Sequence, residues 1–407
     1  MEAIHQCAAG LDVHKAMVMC TVLQSDRTQI IHQETRQFSS FQYGLKAMAN
    51  WLSEFPIELC VMESTGIYWK SPFEALEEAG IPAFVVNARH VKNVPGRKTD
   101  VQDSEWLAQL ARCGLLRNSF IPPKDIRELR MLTRYRRKLV GMQTSEKNRL
   151  QKVLEDGGIR LSCVVSSMDG VSASEMIASL LDGAWRPNDL AKMARGQLKK
   201  KEVELAQSLE GNLSDRHRFV LKEVQKHLQL LNQQLAEIDC QVVATMKPYE
   251  EEWQLLQTIP GIDELGAAML LTEIGVDMSR FGSADRLCCW AGICPGNYES
   301  AGKRKSGKIS KANSYVKTLL CEFSHSARRT NSQFKSRYEA LVMRRGMKRT
   351  IIAIGHQLLR IAFHVIQDKK PYCDPGVDYK KLVVDRNASR WLKTLKEYGY
   401  LDNLRSL

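Results

Sequence analysis

The chain has 407 residues, 44% of them hydrophobic, and its 59 Lys and Arg outnumber 46 Asp and Glu for a net charge of +13. That length allows two or three domains, each large enough to bury its own core. No apolar run approaches the roughly 20 residues of a membrane helix, and the start, Met1-Glu2-Ala3-Ile4-His5-Gln6, lacks the basic and apolar regions of a signal peptide. Eleven scattered cysteines without a CxxC pair read as reduced thiols of a cytoplasmic protein. Cys288, Cys289 and Cys294 are close in sequence, but no second pair or nearby histidine completes a zinc set.

Residues 1–120 alternate strand-like and helix-like runs, the pattern of an α/β domain. Ala8-Ala9-Gly10-Leu11-Asp12 and Met17 to Leu23 read as strand, tight turn, strand, which puts the Asp12 carboxylate on a sheet. A helix is expected over residues 41–55. Glu63 then closes the strand-like run Ile57 to Met62 and is followed by the breaker Ser64-Thr65-Gly66, at the sheet edge where open α/β folds place ligands. A helix over 71–80 and a strand over 81–86 follow. Asp100 and Asp103 open a helix over 101–113 and project from one side of it. Four acids gathered closely would repel one another unless divalent cations sat among them, and hard oxygen ligands suit Mg²⁺ or Mn²⁺. Singly, each acid also reads as a solvated group or, for Asp100, a favourable helix start.

Residues 121–248 read as a helical linker with a coiled coil. After Pro122-Pro123 a helix runs to about Glu155, carrying ten basic residues between Lys124 and Lys152. Among them Arg130, Arg134, Arg137 and Lys138 are candidate nucleic-acid contacts, with a solvated helix face as the alternative. Residues 156–198, rich in Gly and Ser, look less regular. A second long helix is expected from Asp215 to Met246, where Val224, Leu228, Leu231, Leu235, Ile238 and Val242 are spaced as a coiled-coil seam. The two long helices could pair within one chain or between protomers.

Residues 249–350 begin with Ile259-Pro260-Gly261-Ile262 between two helical runs. This is the pattern of a helix-hairpin-helix, whose Gly261 turn would offer backbone N–H groups to phosphate; an ordinary helical turn reads equally well. A glycine-punctuated loop from Trp290 to Lys308 then crowds Lys303, Arg304, Lys305 and Lys308 around Ser300 and Ser306, with Lys311 beyond. Either serine could attack a phosphodiester or simply hydrogen-bond a phosphate. The window 301–350 holds 14 Lys or Arg and two acids, while the rest of the chain is nearly neutral. Charge concentrated this way argues for a polyanion. Residues 351–407 read as a C-terminal helical tail.

Leu11-Asp12-Val13-His14-Lys15, Glu63-Ser64-Thr65-Gly66-Ile67-Tyr68-Trp69, Lys98-Thr99-Asp100 with Asp103, the Ile259–Ile262 turn, and Ala291-Gly292 through Ser300-Ala301-Gly302-Lys303 to Ser310-Lys311-Ala312-Asn313 occur in this order. Together they resemble the DEDD-type transposases of bacterial insertion sequences, the insertion-sequence-one-ten family. The resemblance implies an RNase H/RuvC-like first domain in which Asp12, Glu63, Asp100 and Asp103 bind Mg²⁺ or Mn²⁺. It also implies that Ser300 forms a phosphoserine link to DNA. In the basic window after Lys303, His325, Arg328 and Arg329 read as further nucleic-acid contacts or, at least as well, as a solvated helix face. A structured bridge RNA pairing with donor and target DNA is implied too, as is a bacterial cytoplasmic homo-oligomer, dimer or tetramer, with centres shared between protomers. In the family glycine usually follows the serine directly, whereas here Ala301 intervenes. The competing expectation is a metal-dependent structure-specific (Holliday-junction) endonuclease that needs no serine.

Overall fold

The computed structural model describes residues 3–25, 31–64, 66–87, 91, 103–183, 186–296, 298–300, 302–309 and 312–400, with backbone alone for 298–300 and 304–306. The chain divides into two compact units, Met1–Ile121 and Pro122–Leu407.

The first unit is a five-stranded sheet of order β3-β2-β1-β4-β5, formed by β1 (Cys7–Val13), β2 (Met17–Ser25), β3 (Ile31–Ser39), β4 (Leu59–Glu63) and β5 (Ala83–Val86). The first three strands are antiparallel, and β1, β4 and β5 are parallel. Side chains alternate faces along a strand, so the two layers can be read off β1. Cys7, Ala9, Leu11 and Val13 pack with Leu45, Met48 and Leu52 of α1 (Gln42–Leu52) and Leu76 of α2 (Lys70–Glu78). On the other face Ala8, with Leu59 and Val61 of β4, meets Leu107, Leu110 and Ala111 of α3 (Asp103–Arg112). Strand β3 is exposed along most of its length and pairs with β2 through nine residues; no apolar run in the sequence marks it.

Gly10 sets how closely α3 approaches. A Cβ there would lie 2.1 Å from the Ser104 carbonyl oxygen and 2.4 Å from the Ala108 nitrogen. The buried hydroxyls of Thr21 and Ser104 hydrogen-bond at 2.8 Å beside this contact. At the other end of α3 the Arg112 carbonyl oxygen accepts hydrogen bonds from the backbone N–H groups of Ile4 and His5, and its side chain donates to the Ser25 hydroxyl. Helix α3 therefore runs antiparallel to β1, its amino end over the strand's carboxyl end.

The second unit is helical apart from one hairpin. Helix α4 (Lys124–Asp156) carries at its end a helical cluster of α5 (Val171–Asp182), α6 (Pro187–Ala191) and α7 (Glu202–Ser208), so the stretch expected to be irregular contains helices around a core of Leu154, Met176, Leu180, Leu205 and Leu221. Helix α8 (Asp215–Ala244) returns beside α4 within the same chain. Its apolar stripe meets three partners in turn: Val224 and Leu228 the α5–α7 cluster, Leu231 and Leu235 Leu139 of α4, and Val242 Ala268 further on. Arg136 pairs with Asp239, and Gln143 donates to Asn232, across the two helices.

Beyond them come α9 (Glu250–Gln257), α10 (Glu264–Ile274), α11 (Ala284–Ala291), the hairpin β6 (Tyr298–Ser300) and β7 (Lys303–Ser306), α12 (Ser314–Ala327), α13 (Gln333–Arg345), α14 (Met347–Asp368) and α15 (Tyr379–Glu397). Helix α14 is long and apolar enough by composition to cross a membrane, but Ile351, Ile354, Leu358, Leu359, Phe363 and Ile366 are buried in this unit, as in a core helix. It is not a tail; of the described α-helices only α15 has no buried residue.

Substituting Gly10→Ala will lower stability by roughly 1–3 kcal/mol, the usual cost of overpacking a tight contact. Chemical denaturation of the full chain measures it, and unchanged stability would refute the seating of α3 on β1.

Candidate active site

Three of the four expected acids belong to elements that converge at one end of the first unit. Leu11 pairs with Met62 across the parallel strands β1 and β4, and Asp12 and Glu63 are the next residue on each. Both lie on the face that Gly10 and Val61 share with α3. Asp103 is the first residue of α3, whose amino end lies over this same end of β1. Asp12 forms a hydrogen bond of 2.9 Å with His14 Nε2, both on the turn-side end of β1, and its side chain is 22% exposed. Asp100 lies outside the described residues. Among the described residues, no three His, Cys, Asp or Glu side chains stand close enough to hold one ion. The donors are nonetheless all carboxylate oxygens apart from the His14 ring, the chemistry that suits a hard divalent cation.

In the second unit Ser300 ends β6 and is the register partner of Lys303 on β7. Gly302, just before Lys303, has φ +73°, a conformation glycine adopts freely. At the base of the hairpin a Cβ on Gly296 would lie 2.4 Å from the Lys308 carbonyl oxygen, so the loop closes on glycine. Lys303 and Lys308 are exposed. The side chains of Ser300, Arg304 and Lys305, and Lys311 altogether, lie outside the described residues.

Two family models match the chain in sequence order. One is for DEDD transposases of the IS110 type, described as a transposase, and covers residues 9–157; the other, described as the transposase IS116/IS110/IS902 family, covers residues 253–339. The chain belongs to the IS110 family of transposases. A Mycobacterium paratuberculosis protein, "Insertion element IS900 uncharacterized 42 kDa protein", is 22% identical over 89% of this chain and 96% of its own length. A Thermus thermophilus RuvC structure aligns with 28% of this chain and 99% of its own, at 14% identity and a TM-score of 0.23.

The basic helix α4 of this transposase is engaged differently from a simple phosphate-facing stripe. Arg134 donates from Nε and Nη2 to the two carboxylate oxygens of Glu273 at 2.8 and 3.0 Å, and Glu273 is only 2% exposed. Arg130 donates to the carbonyl oxygens of Thr272 and Glu273 at 3.1 and 2.7 Å. Asn313 completes the set: its Nδ2 donates to Glu273 at 2.9 Å, while its Oδ1 caps α12 by accepting from Tyr315 and Val316. Burial pushes the Glu273 carboxyl up, but the hydrogen bonds from Arg134 and the charges of Arg130 and Arg134 outweigh it and hold the group below its usual range. Burial pulls Arg130 down to about 10, still charged at neutral pH. Arg134 and Arg137 lie over the Tyr315 ring, at 4.4 and 6.0 Å from its centroid, and Lys138 is exposed.

Gly261 joins α9 and α10 with φ +91°, and a Cβ there would lie 2.6 Å from Ala327 N. The turn is thus seated against α12. Glycine at this position serves packing whether or not the turn also meets a phosphate. Sequence reading missed Gly10 and Glu273. An Asn preceding the helical run from Ser314 is a legible N-cap.

Replacing Glu273 by Gln will destabilise the transposase by roughly 3–5 kcal/mol near neutral pH, because two arginines lose their buried counter-charge. The folded carboxyl is lower than the unfolded one, so its contribution is complete above the ordinary carboxylate range and lost as the pH falls through the lowered folded value. Denaturant titrations of both proteins across pH will show the gap closing in acid; a gap that is independent of pH would refute the assignment.

Proposed function

We propose that this chain cuts and rejoins DNA as the site-specific recombinase of an insertion sequence. A bridge RNA selects the donor and target, and the strand break is conserved as a phosphoserine ester. The observation that carries the reading is the junction of β1, β4 and α3, where the parallel register and the Gly10 contact bring Asp12, Glu63 and Asp103 to one end of one face. Order of the two family matches along the chain supports it.

In this reading Asp12, Glu63, Asp103 and Asp100 hold Mg²⁺ or Mn²⁺. The ions would supply charge stabilisation at the scissile phosphate. His14, hydrogen-bonded to Asp12, orients that carboxylate. Ser300 attacks phosphorus: its Oγ–P bond forms as the bond to the departing deoxyribose oxygen breaks, the serine proton leaves, and the freed hydroxyl takes up a proton. One phosphodiester replaces another, so reversal on a new end rejoins DNA without an external energy source. Lys303, opposite Ser300 in the hairpin register, supplies a cation where negative charge develops on phosphate oxygens. Arg137, Lys138, Lys308 and the Gly261 turn contribute contacts to nucleic acid. Arg130 and Arg134 act through the Glu273 cluster, which fixes α4 against α10 and α12. Homo-oligomers, dimers or tetramers, would unite the acid end of one protomer with the hairpin of another.

The alternative is a metal-dependent junction endonuclease that uses the same acids without the serine. Ser300→Ala distinguishes them. For the recombinase, DNA recovered covalently on protein under denaturing conditions disappears and strand transfer falls at least about 10³-fold, a loss typical of removing a group that acts in the transition state. Asp12→Asn abolishes cutting in both readings. Cutting retained at wild-type rate by Ser300→Ala decides for the endonuclease. Sequencing of copurifying RNA tests the guide: a transcript matching the flank of the gene is expected, and its absence from active protein rejects an RNA-guided mechanism.

A further inference from the structure

Helix α14 carries a row of basic side chains outside the residues that either family model matches. His356, Arg360 and His364 are spaced i, i+4, i+8 and so share one face. With Arg337 of α13 and Gln357 they line a cavity of about 300 Å³. Arg337 is held by the Tyr379 ring, 5.1 Å from its centroid, and by a 3.4 Å hydrogen bond to the Tyr379 hydroxyl. Its Nε is buried without an acceptor, and the buried Gln357 Oε1 has no donor.

The acid facing this group from α11 is Asp285, 71% exposed and 3.5 Å from Arg360 Nε. From below, the Cys288 thiol donates to the His356 carbonyl at 3.7 Å. Asp368 lines the adjoining cavity together with His364 and Lys370. Two arginines and two imidazoles thus converge with one exposed carboxylate against them. Buried guanidinium N–H groups without acceptors are costly. Arginine's planar fork matches phosphate oxygens.

We propose that this cavity is an oxyanion site that takes a phosphate group, with Arg337 and Arg360 as principal donors and His356 and His364 as further ones. Its lining includes none of the four acids and no hairpin residue, so it does not require either to be catalytic. The ligand chemistry is shared by a nucleic-acid backbone phosphate and by free phosphate. Burial and the neighbouring charges of Arg360 and Arg337 together hold the His356 imidazole below its usual range, despite Asp285. A bound dianion would reverse that balance, so occupancy has a spectroscopic signature independent of strand transfer.

The test is histidine-ring NMR of the full chain, labelled on its imidazoles and titrated over pH at constant ionic strength, with chloride alone, inorganic phosphate, or a 20-residue single-stranded DNA. His356→Gln assigns the resonance. Phosphate should raise the His356 midpoint by roughly one pH unit, the size an opposite charge at contact distance produces. The R360Q/H364Q double variant, altered at two exposed positions, should fold normally and lose that increment. If the oligonucleotide gives the same rise and phosphate competes with it, the source is a backbone; a rise with phosphate alone assigns the site to the free ion. No rise with either ligand, or an increment that survives in R360Q/H364Q, overturns the proposal. Neither result bears on strand transfer, so failure here is distinguishable from failure of the recombinase reading.

Discussion

The absence of a side chain at Gly10 is the constraint on which the acid end depends. A sheet normally keeps a helix at a distance set by side chains on both surfaces. Here the Ser104 carbonyl and the Ala108 nitrogen occupy the space that any Cβ at residue 10 would need. The Thr21–Ser104 hydrogen bond fixes the helix along its axis as well as in depth. Because α3 runs against β1, that depth and register determine where Asp103 lies relative to Asp12 and Glu63. A glycine two residues before a carboxylate therefore does geometric work for an acid on another element.

The second unit is organised by an internal charge cluster. Glu273 would be expensive to bury alone, and Arg134, Arg130 and Asn313 compensate by joining three helices around it. The same cluster limits what α4 can offer a polyanion. A guanidinium held bidentately by a carboxylate has fewer donors left for phosphate, whereas Arg137, held only over a ring among the described contacts, and exposed Lys138 retain theirs.

Much of the first unit was legible because its elements have strong periods. The alternation of Ala8 to Val13, the apolar Met17–Leu23 run and the breaker after Glu63 locate three strands, and the helices α1 to α4 begin and end within a few residues of expectation. Strand β3 escaped because Ile31–Ser39 is an exposed edge with no buried face to impose a hydrophobic pattern. The helices of residues 171–191 escaped because Gly, Ser and Asn at their ends resemble loop composition. The stripe on α8 was correctly read as apolar, but heptad spacing cannot say whether one partner or three will cover it; three do. Asp12, Glu63 and Asp103 could be picked from local context, while Gly10 and Glu273 depend on contacts with residues about 94 and 140 positions away, invisible to local pattern.

Net charge in a window overstates the cations that a ligand can meet. Of the basic residues in 301–350, Arg328 lies over Tyr338 and has a buried Nε; its side chain packs as a planar group as much as it presents charge. Arg344, Arg345, Lys348 and Arg349 differ. They flank the turn at Gly346, are exposed, and have no acidic partner among the described residues. Electrostatic attraction to a polyanion acts through charges that remain solvated and uncompensated, so this turn and the hairpin lysines carry more of the basic window's field than its arithmetic suggests. A backbone that met the turn would neutralise charges the protein leaves unbalanced, while one directed to Arg328 would have to displace packing that the fold already uses.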